Sequence, residues 1–299
     1  MNRFIDPFTD FGFKKLFGSE PNKDLLIDFL NQLLSPEKQI KSLSYAKNEQ
    51  LGKTTDFRKA VFDLYCEGEH GEKFIIELQK VKQQYFIDRS IYYSTFPIQE
   101  QAPIGEDWNY RLKEIYTIGI MDFIFNASNT DQFMHDVKLV DIISNEVFYH
   151  KLNFIYMEMP KFVKEEKDLI THFDKWLYVL KNLNKFREIP SVLQERIFRK
   201  LFNTAEVANL NEEEMKTYEA SLKEKRDWKN AMDYAMAEAE TKGMEKGIEK
   251  GMVKGMVKGM EKGIKKERLV IAKNMKKENI AVEVISRLTG LSIEDINNL

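Results

Sequence analysis

The chain has 299 residues, 43% of them hydrophobic and 31% charged, which is the composition of a soluble globular protein with one substantial domain plus appendages. No apolar run near the N-terminus suits a signal peptide and no segment approaches about 18 uncharged apolar residues, so we expect a cytoplasmic protein without a membrane span. The single cysteine, Cys66, excludes an internal disulfide and a multi-cysteine zinc site.

Charge is distributed unevenly along the chain. The net charge is −2, but residues 242–277 contain twelve Lys or Arg against four Glu, a net of +8, which leaves about −10 for the rest. An acidic body argues against a nucleic-acid surface spread over the whole protein, whereas the basic segment could supply phosphate contacts locally. Basic segments are also commonly just solvated, so charge alone leaves DNA binding open.

Helical and strand periods alternate in the first 185 residues. Leu and Phe recur at steps of three and four over residues 25–34, which predicts an amphipathic helix that ends at Ser35-Pro36. Two β-rich segments, residues 60–67 and 73–81, flank the turn-forming stretch EGEHGE, and this pattern predicts a β-hairpin.

The segments after the hairpin continue this mixture. Aromatic residues at helical spacing predict a helix over residues 85–96 that packs against a sheet, and strands are predicted at residues 115–125 and 151–159. The residues alone therefore predict an α/β or α+β core over residues 1–185 with a central sheet.

The C-terminal third is predicted to be helical. Residues 186–240 form a helical extension, and residues 241–264 repeat a KGM(E/V) tetrad with glycine at every fourth position. Each interior glycine costs a helix roughly 0.5 to 1 kcal/mol relative to alanine, while the adjoining Met/Ile stripe gives a partner helix an apolar surface. A dimerising helix and a flexible tether both remain open, and the lysine in every tetrad excludes a membrane span.

The last segment, residues 265–299, is predicted to be a small helix-turn-helix-like tail. Gly290 is expected to be a C-cap and Ser292 an N-cap. The last helix carries Glu294 and Asp295 and no basic residue, which is poor equipment for entering a major groove. A helical oligomerisation cap is therefore at least as good an interpretation as a DNA reader.

The predicted hairpin brings two acids together. A turn centred on His70 places Asp63 opposite Glu77, and opposed residues share a sheet face with Cβ atoms about 4.5 to 5.5 Å apart. Alternation puts Val61 on this face and Phe62 on the other. Two carboxylates about 5 Å apart repel by roughly 3 kcal/mol at an effective dielectric constant of about 20. A divalent cation reverses the sign, since Mg²⁺ and Mn²⁺ prefer oxygen ligands; a hairpin edge with solvated acids is the alternative.

The position two residues after Glu77 determines what else the site needs. Many metal-dependent nucleases carry an acid, any residue and then a lysine, but here Gln79 holds the lysine position and Lys80 comes one place late. Alternation points Lys80 to the opposite face unless a β-bulge intervenes. Gln79 can orient a water or a phosphate oxygen but supplies no positive charge, so the metal or a lysine from a helix is expected to stabilise the transition state.

Four segments occur in the order DPFTDFGFKKLFG, AVFDLYCEGEHGEKFIIELQ, FIDRSIYYSTFPIQEQAPIGEDWNYRLKEIYTIGIMDF and LNFIYMEMPKF. As an ordered set they resemble the Rpn family of recombination-promoting nucleases, also described as transposases of the PD-(D/E)XK superfamily, over about residues 1–240. The resemblance implies a restriction-endonuclease-like α/β core, in which helices flank a central mixed sheet, with a helical C-terminal extension.

The resemblance also implies roles for individual residues. Asp63 matches the superfamily aspartate and Glu77 the acid of the second motif, and both are expected to bind the metal together with the backbone carbonyl of Leu78. Asp10 matches an acidic position that can help hold the metal. Lys14, in the same N-terminal motif, is the expected migrated cation.

Two further matches concern residues that are not expected to be metal ligands. Gln79 matches the glutamine that this branch carries in place of lysine, and it is expected to position the nucleophile or the scissile phosphate. Arg89 and Tyr93 match the helix after the hairpin, where packing and ion pairing are their expected roles.

The resulting expectation is a DNA endonuclease that depends on Mg²⁺, or on Mn²⁺, hydrolyses phosphodiester bonds and promotes recombination. DNA is the expected partner, with no organic cofactor, and a homodimer formed through the tail is one of the two alternatives for the repeat. The competing hypothesis is a catalytically degenerate nuclease fold that acts as a DNA- or partner-binding assembly module. A true transposase that joins strands is a third hypothesis, which the sequence does not separate from simple cleavage.

Overall fold

The structure is a computed structural model in which two units can be distinguished, Met1–Arg226 and Asp227–Leu299. The first unit contains the sheet and the candidate site, and the second consists of C-terminal helices. The structure describes residues 2–47, 49–50, 60–102, 109–125 and 131–299.

A mixed β-sheet organises the first unit. Among the described residues the strands are β1 (Leu43–Tyr45), β2 (Glu49–Gln50), β3 (Ala60–Val61), β4 (Leu64–Gly68), β5 (Lys73–Gln79), β6 (Ile115–Met121), β7 (Met134–Val140) and β8 (Val147–Glu158). The main sheet has the order β1-β4-β5-β6-β8-β7, and β2 pairs with β3. The β5–β6 and β6–β8 pairings are parallel, whereas β1–β4, β4–β5 and β7–β8 are antiparallel. This topology confirms the predicted central mixed sheet.

Helices cover both faces of the sheet. The helices of the described residues are α1 (Asp10–Phe17), α2 (Lys23–Asn31), α3 (Phe86–Glu100), α4 (His172–Asn182), α5 (Arg196–Ala205), α6 (Glu212–Lys277), α7 (Val282–Thr289) and α8 (Ile293–Asn297). α7 and α8 belong to the second unit, and α6 continues into it. The main core joins α1, α2, α4 and α5 to one sheet face, and its members include Phe29, Trp176 and Phe198 from the helices and Ile76 from β5. The predicted extension after residue 185 therefore packs into the same core as the N-terminal helices.

The opposite face of the sheet is covered by α3. Tyr65 and Ile75 pack there with Tyr93 and Phe96 of α3. The predicted helix over residues 85–96 is thus confirmed, and its aromatic side chains pack on the sheet. Every second residue of β5 beyond Ile75 points to this face, since side chains alternate along a strand.

Phe62 departs from the alternation that the sequence predicts. It lies on the α3 face, with its ring centroid 5.2 Å from that of Tyr93, although it was expected on the opposite face. The reason is that β3 ends at Val61 and β4 begins at Leu64, so regular alternation does not extend through the residues between them. The expected position of Phe62 was therefore wrong.

Gly119 of β6 allows α3 to approach the sheet closely. A Cβ atom at this position would lie 3.0 Å from Tyr156 Cδ1 and 3.2 Å from Phe86 Cζ, which is tighter than ordinary van der Waals contact. Gly119 is also the neighbour of Glu77 in the parallel β5–β6 pairing. The close approach of α3 to the candidate site therefore depends on this glycine.

We expect Gly119→Ala to lower the free energy of unfolding by about 1 to 3 kcal/mol, because overpacking forces Phe86 or Tyr156 out of place. Urea unfolding of the full chain measures this change. Gly255→Ala is the control for a methyl group added in open space, and we expect it to raise stability by about 0.5 to 1 kcal/mol, because alanine favours the helix and its Cβ atom meets no neighbouring group within 4 Å. An unchanged unfolding midpoint for Gly119→Ala would show that α3 does not depend on the close contact.

The second unit contains the tetrad repeat and the tail. The repeat is helical, because α6 continues through it to Lys277, and its six glycines face open space. Gly290 ends α7 with φ +69°, and the Ser292 hydroxyl accepts a hydrogen bond from the Asp295 N–H at 3.1 Å, as the predicted caps require. Ile285, Leu291 and other apolar residues form a small core in this unit. None of the helices in the described ranges could cross a membrane.

Candidate active site

The hairpin register places Asp63 beside Glu77. β4 and β5 are antiparallel, with Leu64 opposite Ile76. Asp63, one residue before Leu64, therefore lies beside Glu77, one residue after Ile76. The Asp63 N–H donates to Glu77 Oε1 at 3.3 Å, and the Leu78 N–H donates to Asp63 Oδ2 at 2.7 Å. The predicted juxtaposition of the two acids is therefore present, although Asp63 lies just before the first residue of β4.

The turn that sets this register depends on one glycine. Gly71 has φ +88°, in the region that L-residues rarely adopt. The Gly68 N–H donates to the Glu72 carbonyl oxygen at 2.8 Å and closes the turn around His70. The turn is thus centred where the sequence predicts it, and this position brings the two acids together.

Burial makes the acid pair costly in the absence of a cation. Glu77 is 7% exposed. Burial, and next the charge of Asp63, raise the pKa of Glu77 to about 8, against the opposing effect of Arg89. Burial and then Asp10 also raise the pKa of Asp63, while the Leu78 N–H, Lys14 and Lys80 oppose this rise. At neutral pH the metal-free site therefore favours retaining a proton on the pair.

The two N-terminal residues predicted for the site lie together on α1. The Thr9 hydroxyl caps this helix by accepting a hydrogen bond from the Gly12 N–H at 3.0 Å. Asp10 and Lys14 form an ion pair of 2.7 Å on its exposed surface, with both side chains 45% exposed. Their charges act on the pKa of Asp63 in opposite directions, so both lie within electrostatic range of the acid pair.

Gln79 lies directly beside the acid pair. It is 8% exposed, and its Nε2 donates to Glu77 Oε2 at 3.0 Å. Lys80 is the first residue after β5, so strand alternation does not determine its direction, and its positive charge lowers the pKa of Asp63. The structure therefore does not support the argument that strand alternation turns Lys80 away from the acid pair.

Arg89 approaches the acid pair from α3. Its Nη2 atom lies 3.9 Å from Glu77 Oε2, and its guanidinium lies over the rings of Phe86 and Tyr93 at 5.8 and 5.6 Å. Sequence reasoning assigned Arg89 to packing and ion pairing and did not include it in the site. The sequence feature that could have identified Arg89 as a site residue is its position near the start of the helix that follows β5, the strand of Glu77.

The acid pair fits a hard divalent cation that retains several waters. Two adjacent carboxylates, whose pKa values are raised first by burial and then by neighbouring acids, supply the oxygen ligands that Mg²⁺ and Mn²⁺ prefer. The N–H and C=O of one residue point to the same edge of a strand, so the Leu78 carbonyl faces the edge where Asp63 accepts the Leu78 N–H. No group of three or more His, Cys, Asp or Glu side chains in the described ranges is arranged to hold a metal.

A mixed sheet with paired acids on its β4–β5 hairpin and helices on both faces is consistent with a PD-(D/E)XK nuclease fold. A family model described as PD-(D/E)XK nuclease family transposase matches residues 7–235, and the chain belongs to this family. The match includes both acids and confirms the resemblance found in the sequence. Comparisons with curated proteins and with solved structures find no match.

Proposed function

We propose that the protein is a Mg²⁺-dependent endodeoxyribonuclease that hydrolyses phosphodiester bonds in DNA. The supporting observation is the pair of half-buried Asp63 and buried Glu77, in which burial and then a neighbouring carboxylate raise each pKa: Asp10 acts on Asp63, and Asp63 acts on Glu77. A protein gains no stability from such a pair unless a cation or a proton compensates its charge. Membership of a nuclease family makes a catalytic metal the compensating cation with the best support.

Each residue of the site has a distinct proposed task. Asp63, Glu77 and the Leu78 carbonyl hold the metal, with Asp10 as a further acid near the site. A bound Mg²⁺ or Mn²⁺ ion supplies Lewis-acid stabilisation of the phosphate and an activated water. Gln79 holds the Glu77 carboxylate through its Nε2 hydrogen bond, and its carbonyl oxygen can accept a hydrogen bond from the nucleophilic water.

Supercoiled plasmid is the direct test of this function. We expect the wild-type protein to convert it to nicked or linear DNA with Mg²⁺ or Mn²⁺, and to leave it intact with a chelator. The double variant Asp63→Asn/Glu77→Gln is expected to be inactive, and the exposed pair Asp233→Asn/Glu249→Gln is the control with the same loss of charge. Absence of cleavage by the wild type with either metal would instead favour the non-catalytic assembly module.

Several finer predictions accompany this proposal. Promotion of recombination, location in the cytoplasm and formation of a homodimer through the tail stay predictions. The apolar residues of the repeat are available for such a dimer, since Met252 and Met256 are each 71% exposed.

A further inference from the structure

We propose that Arg89 is the cation that contacts the scissile phosphate, in place of the lysine that residue 79 would otherwise supply. This inference rests on the proposed nuclease function and assigns a catalytic group to the same site. Arg89 is the fourth residue of α3, and its Nη2 atom lies 3.9 Å from Glu77 Oε2. It thus places a permanent positive charge beside the acid pair.

The need for this charge follows from the chemistry of residue 79. Phosphoryl transfer develops negative charge on the phosphate oxygens, and the protein accelerates it mainly by placing positive charge and hydrogen-bond donors there. The Gln79 amide is neutral, and its Nε2 is already hydrogen-bonded to Glu77 Oε2 at 3.0 Å. Another group must therefore provide the cationic contact.

Arg89 lies on the face of the sheet where that contact is needed. Glu77 and Gln79 follow Ile75 at alternate positions of β5, and Ile75 packs under α3 with Tyr93. A lysine at position 79 would point to the same side. Arg89 reaches this side from the helix above the strand, so its guanidinium can occupy the region that the lysine ammonium would have filled.

The guanidinium is held in place but is not saturated. The rings of Phe86 and Tyr93 lie 5.8 and 5.6 Å from it, and Nη1 donates to Gln83 Oε1. The 3.9 Å separation from Glu77 is too long for a hydrogen bond. With its side chain 28% exposed, Arg89 retains N–H donors with no hydrogen-bond partner in the described part of the chain. A guanidinium can offer two parallel donors to a phosphate.

Two lysines are the rivals for this role. Lys14 already pairs with Asp10 at 2.7 Å, and both side chains are 45% exposed on α1. Lys80 follows Gln79, the last residue of β5, so it lies outside the strand whose alternate residues face α3. Arg89 Nη2 lies instead 3.9 Å from Glu77 Oε2, the same oxygen that accepts the hydrogen bond from Gln79 Nε2.

A purely structural role for Arg89 predicts a different outcome from a catalytic one. If Arg89 served only to hold the Glu77 side chain in position, its removal would weaken metal binding and reduce cleavage through that loss. If it contacts the phosphate, its removal lowers kcat while the metal still binds. Metal binding and cleavage must therefore be measured on the same variants.

The experiment compares Arg89→Ala, Arg89→Lys, Lys14→Ala and Lys80→Ala with the wild type in the full-length protein. Arg199→Ala is the matched control, because Arg199 is an exposed arginine at the fourth position of α5. Steady-state cleavage of a labelled DNA duplex gives kcat and KM, the rise in melting temperature with Mn²⁺ gives metal binding, and methylguanidinium is added as a rescue agent.

We expect Arg89→Ala to lower kcat by about 100-fold or more, because removal of one donor to the transition state has an effect of this size. The Mn²⁺ concentration at which half of the rise in melting temperature is reached should change less than about twofold, since the metal ligands are intact. Methylguanidinium should raise the activity of Arg89→Ala by at least about tenfold and should not raise the activity of the other variants. Arg89→Lys should retain intermediate activity, Lys14→Ala and Lys80→Ala should lose less than Arg89→Ala, and Arg199→Ala should match the wild type.

Three results would overturn the assignment while leaving the nuclease function intact. These are Arg89→Ala activity within about threefold of wild type, a loss fully explained by weaker Mn²⁺ binding, or a larger kcat loss in either lysine variant. If the wild type itself fails to cleave, the proposed function and the assignment of Arg89 both fall. The wild-type measurement therefore separates the two failures.

Discussion

Replacing Glu77 with glutamine is expected to stabilise the metal-free protein at alkaline pH and to remove its stabilisation by Mn²⁺. Burial, and then the charge of Asp63, raise the pKa of this carboxyl from 4.5 to about 8. The folded protein therefore binds the Glu77 proton more tightly than the unfolded chain does. The resulting stabilisation is complete below about pH 4.5 and is lost as the pH rises to about 8.

The magnitude of this loss should be measurable. One pKa unit corresponds to about 1.4 kcal/mol, so the rise from 4.5 to about 8 means that ionised Glu77 lowers the free energy of unfolding by on the order of 5 kcal/mol. A glutamine has a similar shape, carries no charge and can still accept the hydrogen bond from Gln79. Glu77→Gln should therefore unfold later than the wild type at about pH 9 and similarly to it at about pH 5.

Added metal should offset about half of this difference in stability at about pH 9. Mn²⁺ at about a hundredfold excess over its dissociation constant stabilises a one-site protein by about 2.7 kcal/mol, and Glu77→Gln lacks one of the two carboxylates that hold it. Urea unfolding at the two pH values, with and without Mn²⁺, measures both effects. Glu249→Gln is the control, because Glu249 is exposed on α6. Equal destabilisation of Glu77→Gln at both pH values would rule out the proposed charge cost.

The hairpin was predictable because local turn chemistry and strand alternation determine it. His70-Gly71 marks the turn, and the observed pairing of Leu64 with Ile76 is the one that a turn at this point requires. The position of Asp63 beside Glu77 followed from that register. Short-range geometry was therefore sufficient for the two acids of the site.

Features controlled by tertiary contacts were less accessible. Phe62 packs on α3 because the β4 ladder begins only at Leu64, a boundary that alternation does not reveal. β7 was not predicted, since Val137 and Leu139 are 45% and 49% exposed and burial imposes no strong apolar pattern on this edge strand. The sequence-based prediction was most reliable where one strand face is buried.

The positive charge near the two acids is also determined partly by local sequence and partly by tertiary contacts. The sequence indicates that residue 79 cannot supply it, but the approach of Arg89 depends on how α3 lies on the sheet. That position in turn depends on the contact of Phe86 with Gly119, where a Cβ atom would lie 3.2 Å from the ring. Residues distant in sequence therefore decide which cation reaches the site.

The Asp63→Asn variant should lose at least about 100-fold of the DNA cleavage activity without losing stability. A metal ligand contributes several kcal/mol to transition-state stabilisation, and each 1.36 kcal/mol corresponds to about tenfold in rate. Asparagine keeps an oxygen that can accept the Leu78 N–H, which now donates to Asp63 Oδ2 at 2.7 Å. It also removes a negative charge that raises the pKa of Glu77, so the metal-free protein should be at least as stable as the wild type.

Asp63→Ala combines this catalytic loss with a structural one. Alanine leaves the Leu78 N–H without its acceptor, which costs about 1 to 3 kcal/mol for a buried group. Plasmid cleavage and urea unfolding of both variants separate the contributions, with Asp233→Asn as the charge-matched control. Cleavage by Asp63→Asn at the wild-type rate would remove Asp63 from the catalytic site. Loss of cleavage in Asp63→Ala alone would show that the aspartate serves the hairpin, because only the alanine variant removes the hydrogen-bond acceptor.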